Sequence, residues 1–314
     1  MPNLARFESA VRSQLLILAV SVFTLVTSPV VGQSLTASQN RQPEARNVLD
    51  EGVQAFKNGQ YDQATLDFQP AKQLDPKLLN ASLYLATTYA SQYIPGARSE
   101  ENTQHGQDAV EEFKSVLILD PQNISAIDGL GSMLFQMAGN PFDPDLFSES
   151  KCYHQKHIDL RPNDPETYYW IGVIDWTLSF RANAQFRAKY NLSIGGKQLE
   201  DNEPAPDSLR QEYVHEYGAI IDEGIECMKK AMTLRPDYDD AMAYLNLLYR
   251  RKADTATTQA EREQLIRLAD ELVDEVKNIK QKGAEQPRSS GVKNDGCYAG
   301  SLFFTSVVSL PRCS

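Results

Sequence analysis

A three-residue junction recurs four times in the chain: Leu74-Asp75-Pro76, Leu119-Asp120-Pro121, Leu160-Arg161-Pro162 and Leu234-Arg235-Pro236. Five residues after each proline a small residue, Ala81, Ala126, Thr167 or Ala241, opens a new apolar stretch. Proline cannot continue a helix, because it lacks the N–H and its ring strikes the carbonyl four residues back. A leucine that closes one helix, followed by a fresh start at constant offset, specifies an array of helical repeats. The proline intervals are 45, 41 and 74 residues. Against a repeat of about 34 residues the excess, roughly 11, 7 and 40, must sit in insertions.

The 314 residues are 41% hydrophobic, enough to bury a substantial core repeat against repeat. A net charge of −11 and a pI near 4.9 argue against general affinity for nucleic acid or anionic lipid, both of which need clustered basic charge. Basic or neutral partners suit the chain better. Cys152, Cys227, Cys297 and Cys313 form no CxxC or CxxCH pattern, so no zinc ribbon, thioredoxin-like site or haem attachment is indicated.

At the N-terminus Arg6 and Arg12 precede the apolar run from Leu15 to Val31, and Val30-Val31-Gly32 follows at its end. This is the layout of a secretory signal peptide over residues 1–32, with cleavage after Gly32. The alternative is an uncleaved anchor, which Ser21, Thr24, Thr27 and Pro29 weaken. The chain is thus expected to be exported, periplasmic or secreted, and membrane-anchored only if the segment is retained. Residues 33–44 are polar without periodicity and read as a flexible linker.

From Ala45, Val48, Gly52 and Ala55 are spaced for one helix, Asn58-Gly59 for a turn, and Tyr61, Ala64, Phe68, Ala71 and Leu74 for a second helix. Gly52 and Ala64 lack bulk where the helices would cross, and Tyr61 and Phe68 fill the space around them. These residues resemble the tetratricopeptide repeat (TPR) family, and the likeness extends over about 45–280. The repeats read as 45–78, 79–123, 124–164, 165–238 and 239–281. In the second, Leu83, Leu85, Ala86 and Tyr89 mark the first helix and Ala109, Phe113, Val116 and Leu119 the second, with a polar loop from Ile94 to Gln107 that would leave His105 in solvent. In the third, Ser150 and His154 stand where the family has a small and an aromatic residue. In the fourth, good helix continues past Trp176 to Tyr190, Gly195-Gly196 breaks it, and Pro206-Asp207 starts another helix. That insertion is expected to lengthen both helices of one hairpin by about twelve residues, roughly 18 Å; a degenerate extra repeat is the competing parse. Leu265, Leu268, Ala269, Leu272, Val276 and Ile279 form the apolar stripe of a C-terminal capping helix.

The resemblance implies an all-α, right-handed superhelical solenoid of antiparallel helix pairs whose concave groove holds segments of other proteins. Matching the repeat skeleton gives as groove residues Leu49, Val53, Phe56, Lys57, Leu83, Thr87, Asp128, Phe135, Gln136, Tyr169, Val173 and Trp176, with Leu247, Arg250 and Arg251 in the last unit. The Lys and Asn clamp by which some TPR domains grip carboxylate tails is missing, since Leu49 and Val53 occupy its slots.

No GxSxG, HExxH, Walker or GxGxxG pattern is present, so no catalytic centre and no cofactor is indicated. Cys152, His154 and His157 are metal-ligand types, but on a helix only the two histidines share a face, and a structural role is the reading adopted. The function expected is an exported, non-catalytic scaffold for other proteins or peptides. Two alternatives remain: a ligand-binding protein or hydrolase with a pocket around Trp170, Trp176, Tyr213 and Tyr217, and a membrane-tethered assembly factor. Residues 282–314 read as a disordered tail with a short apolar run from Ala299 to Leu310, which Cys297 and Cys313 could close into a loop.

Overall fold

A proline's ring crowds the N–H and Cβ of the residue before it and drives that residue out of the helical region. In the computed structural model, Asp75, Asp120, Arg161 and Arg235 accordingly share one conformation, with φ between −136° and −139° and ψ between 77° and 94°. Each donates its backbone N–H to the carbonyl four residues back at 2.7–3.1 Å, and each carbonyl accepts the N–H three residues on at 2.9–3.3 Å. One turn geometry, used four times, therefore joins successive helix pairs.

The structure describes residues 31–200 and 203–285. Among them are ten helices and no strand. The chain divides into two units, Met1–Asn40 and Arg41–Ser314, and the first contributes to the described residues only the start of a helix. The helices follow in pairs: α1 (Val31–Lys57) and α2 (Tyr61–Leu74), α3 (Leu79–Gln92) and α4 (Glu100–Leu119), α5 (Ile124–Ala138) and α6 (Pro144–Leu160), α7 (Pro165–Ser193) and α8 (Asp207–Leu234), α9 (Asp239–Ala253) and α10 (Gln259–Glu285). Within the second unit, consecutive helices pack on one another, and first helices also touch across pairs, α3 with α5 and α7 with α9.

Inside each of the first four pairs a small residue of the first helix receives a large one of the second. A Cβ on Gly52 would stand 2.5 Å from Phe68 Cε1, one on Gly131 3.1 Å from His154, and one on Gly172 2.6 Å from Met228. Ala86 and Phe113 share a core in the second pair. These partners are separated by 16, 27, 23 and 56 residues in the four pairs, excesses over the first of 11, 7 and 40. Every insertion thus falls between the two helices of a pair, and none falls at a junction.

The long insertion extends α7 to 29 residues and α8 to 28. The extension carries a core of its own: the rings of Phe186 and Tyr217 flank Tyr213, whose hydroxyl donates to Ser179 O at 2.8 Å. Arg187, 3% exposed, anchors the connecting loop through Glu200 O and Glu203 O at 2.9 and 3.0 Å. In α10, Ala269 and Leu272 are buried, and Leu272, Val276 and Ile279 belong to the core shared with α7, α8 and α9. Successive second helices are laced by lysine–glutamate pairs, Lys72–Glu112 at 2.7 Å, Lys114–Glu149 at 3.0 Å and Lys151–Glu223 at 2.8 Å.

Three expectations change. Residues 33–44, read as a linker, lie within α1; residues 33–42 hold neither Gly nor Pro to stop a helix. The loop read as Ile94–Gln107 ends at Ser99, whose side chain caps α4 by accepting from Asn102 N at 3.1 Å. Asn102 is buried and completes the turn by donating to Ile94 O and Ala97 O and accepting from Ile94 N at 2.6 Å. His105 is consequently helical, its ring stacked on Tyr89 at 6.3 Å. The signal-peptide reading falls, apart from residues 31–32, outside the described residues, as do Cys297, Cys313 and the tail beyond Glu285.

Gly52→Ala should destabilise the chain by about 1–3 kcal/mol through overpacking. Because the clash is with one ring, adding Phe68→Leu should make the two changes strongly non-additive in urea unfolding, whereas Gly59→Ala, which meets nothing within 4 Å and is strained only by its φ of +74°, should be indifferent to residue 68.

Candidate functional site

The junction intervals of 41 and 74 residues carry Phe135 onto Trp176 and Trp176 onto Arg250, so these three occupy one repeat position on the first helices α5, α7 and α9. Around that position the structure assembles a continuous chain of rings. Phe142, Phe147, Phe135, Trp170, Tyr169, Tyr244, Trp176 and Phe180 follow one another with centroids 5.2–5.7 Å apart, and Tyr238 joins Tyr169 at 5.1 Å. The contacts are mostly edge-to-face or tilted, with Trp176 stacked on Phe180, the arrangements aromatic quadrupoles favour. Phe147 and Tyr238 are buried; Phe135, Trp170, Tyr169, Tyr244 and Trp176 are half-buried; Phe180 is 43% exposed. At both ends a guanidinium stands over a ring at 5.8 Å, Arg181 over Phe142 and Arg251 over Phe180.

Of the residues expected to bind a partner, Phe135, Tyr169 and Trp176 lie in this ring chain. Leu49 and Val173 do not face solvent: at 7% and 3% exposure they belong to the cores formed with the helices around them, Val173 being covered although it shares its helix face with Tyr169 and Trp176. Val53 and Phe56 are partly buried against the first core, Phe56 with Tyr61 at 5.5 Å and Tyr84 at 6.4 Å, while Lys57 is exposed. Leu83 packs on the second core, and the Thr87 hydroxyl donates to Leu83 O at 2.8 Å. Asp128 is engaged by His157 Nδ1 at 2.5 Å, Gln136 is half-buried, and Arg250 is held by Asn246 at 2.9 Å and Asp270 at 2.6 Å. The structure thus concentrates the candidates on α5, α7 and α9. The sequence reading did not single out Phe142, Phe147, Phe180, Tyr238 or Tyr244 as site residues. Tyr244 is legible in retrospect, since the interval of 74 places it on Trp170; Phe180 exists on this face only because α7 runs on past the usual helix end.

The pocket imagined around Trp170, Trp176, Tyr213 and Tyr217 does not form as one site. Tyr213 and Tyr217 pack in the hairpin extension, the tryptophans in the ring chain. Among the described residues, concavities elsewhere include a shallow one at Arg161–Pro165 and a cleft of about 140 Å³ between the start of α8 and the α9–α10 turn. Among the described residues no three His, Cys, Asp or Glu are placed to hold a metal ion, and no helix is long and apolar enough to cross a membrane. Cys152 is exposed, and burial pushes the Cys227 thiol up to about 12.

Beneath the ring chain lie two buried polar groups. His154 is 1% exposed, stacks on Trp170 at 6.0 Å, and has no partner on either ring nitrogen. It acts as the flat ring the repeat calls for, with burial depressing it to about 3. Ser150, next to it, donates to Gly131 O at 2.7 Å. Asp175, fully buried on α7, takes Lys151 on one oxygen at 2.7 Å and leaves the other unpartnered. Burial pushes it up to about 7 against the pull of Lys151.

No family model matches the sequence, and no curated protein is similar to it. Solved structures do match. MamA aligns with 78% of this chain and 96% of its own at 17% identity and a TM-score of 0.50. A double mutant of MamA RS-1 aligns over 77% and 97% at 15% identity and a TM-score of 0.51. The fold is TPR-like. YrrB, described as a TPR protein with an unusual peptide-binding site, aligns over 79% and 97% at 13% identity with a TM-score of 0.47, below the similarity on which this assignment rests. In the TPR-like array the ring chain runs from Phe142 and Phe147, at the start of α6, onto the first helices α5, α7 and α9, and the lysine–glutamate lacing lies on second helices.

The two buried groups give opposite pH dependence. Asp175, raised from 3.8, contributes stability that is full below its ordinary value and lost as pH rises through about 7. His154, depressed from 6.5, contributes stability that is full above its ordinary value and lost as pH falls through about 3. Between these ordinary values the two slopes oppose each other. Relative to the wild-type chain, Asp175→Asn should therefore lose stability on acidification across that window and His154→Phe should gain it. Urea midpoints measured at several pH values check both signs.

Proposed function

We propose that the chain is a non-catalytic scaffold that binds a segment of another protein along the ring chain of α5, α7 and α9. The observation that carries this reading is the continuity of half-buried aromatics across three consecutive first helices, ending in exposed Phe180. Rigid aromatic side chains bring large apolar area with little entropy loss and dominate binding hot spots. The TPR-like fold supports it by placing first helices side by side, the arrangement in which TPR arrays offer a groove. A fold alone does not specify a ligand, so the partner is defined here only by chemistry: an apolar or aromatic segment, with the acidic charge of −11 favouring basic flanks. The signal-like N-terminus, with Arg6, Arg12 and the run to Val31, supports action after export, in a periplasm or outside the cell.

Crosslinking capture from the native envelope fraction should recover a partner with the wild-type chain and lose it with Trp176→Ala/Phe180→Ala, a pair chosen because Phe180 is solvent-exposed and circular dichroism can verify the fold. Unchanged capture moves the working surface away from the ring chain. N-terminal sequencing of the exported protein should begin at Gln33; a start at Met1 or Pro2 favours a retained anchor.

A further inference from the structure

The sequence itself holds a segment whose chemistry matches the ring chain. Residues 286–314 follow α10 and carry Leu302, Phe303, Phe304, Val307, Val308 and Leu310 in a ten-residue stretch, Ser301 to Leu310. The last turns of α10 stand beside the ring chain: Lys280 Nζ lies 3.7 Å from Asp239 Oδ2, and the preceding residue, Tyr238, contacts Tyr169. From Glu285 the sixteen residues to Ser301 reach up to about 53 Å when extended, and Tyr169 to Phe180 spans about 17 Å of helix. Reach is ample. Charge agrees as well: residues 286–314 hold Arg288, Lys293 and Arg312 against the single acid Asp295, whereas Glu166, Asp239 and Asp240 stand around Tyr169 at the part of the ring chain nearest α10, Glu166 shared with Arg235 and Asp239 with Lys280. An apolar segment led in by basic residues would cross an acidic rim and arrive on rings. Leu302, Phe304, Val308 and Leu310 alternate, so an extended segment presents them on one side.

We propose that residues 301–310 occupy the ring chain in cis and cover it until a partner displaces them. This rests on the reading of the ring chain as a binding surface and adds its regulation: affinity for an outside segment is lowered by the fraction of chains in which the tail is seated.

Trp170 and Trp176, the only two tryptophans of the chain, both lie in the ring chain, so indole fluorescence of the unlabelled full chain reports on its cover. Phe303→Asp/Phe304→Asp leaves the described core untouched and should raise the acrylamide quenching constant by about twofold, as seated chains become open ones. The rise should be independent of protein concentration. An unchanged constant overturns the proposal, and a wild-type protection that disappears on dilution overturns the cis form by assigning the cover to a second copy. A photo-crosslinker at position 304 should give intramolecular links to Tyr169–Phe180 or to Tyr244; links confined to other helices overturn it equally. The outcome is separable from the function above. If quenching is unchanged while capture still depends on Trp176 and Phe180, the tail reading alone falls; if quenching rises but capture is indifferent to those residues, the scaffold reading falls.

Discussion

The steric conflict between a proline ring and the residue before it sets the plan of this chain. At Asp75, Asp120, Arg161 and Arg235 the outcome is the same to within a few degrees of φ, although the residue is acidic in two cases and basic in two. Backbone sterics thus fix the turn, and the side chain at that position is free for other work. Asp75 and Asp120 accept from backbone N–H groups two residues on, at 3.1 and 3.3 Å. Arg235 lies over the Tyr238 ring at 4.2 Å and pairs with Glu166 at 2.7 Å. A turn that does not depend on side-chain identity is what lets one pair be stacked on the next while everything else in the repeat varies.

What varies is the space between the helices of a pair. The small-to-large contact near each crossing closes the pair whether the connection holds no insertion, a capped turn around Asn102, or forty further residues of hairpin. Loop closure grows only slowly unfavourable with length, so insertions there cost little provided their polar groups find partners. Arg187 and Asn191 supply those partners in the longest case. The same contact tolerates unlike chemistry: Phe68, Phe113, His154 and Met228 fill one role, and the imidazole is accepted as a flat ring at the expense of two unpartnered nitrogens. Two polar costs of the array, at His154 and Asp175, lie in and beside α7, while the second helices carry partly exposed lysine–glutamate pairs whose individual worth is about 0–1 kcal/mol.

The surface proposed to work is a by-product of this regularity. Residues 41 and 74 apart fall on the same helix position, so aromatics repeated at those intervals come within 5–6 Å of the rings of the next pair. One helix extended beyond its neighbours then adds Phe180 and brings Arg251 over it.

Much of the fold was legible in the sequence: helix order, the junctions, the hairpin extension and the capping stripe are all consequences of local rules, namely what proline forbids, what glycine permits at a crossing, and where apolar residues recur. The start of α4 was not, because it depends on Ser99 and on Asn102 folding back onto Ile94 and Ala97, bonds that no period announces. Site residues divide along the same line. Repeat matching found Phe135, Tyr169 and Trp176, but it could not tell them from Leu49 and Val173, which share the first helices yet are covered by their neighbours. By itself the sequence determined which residues belong to first helices and how the pairs are joined, since these follow from backbone sterics and periodicity; only the tertiary structure decided which first-helix side chains are left over for a partner, because that depends on the rotation of each helix against its neighbours and on how much of its surface their side chains cover.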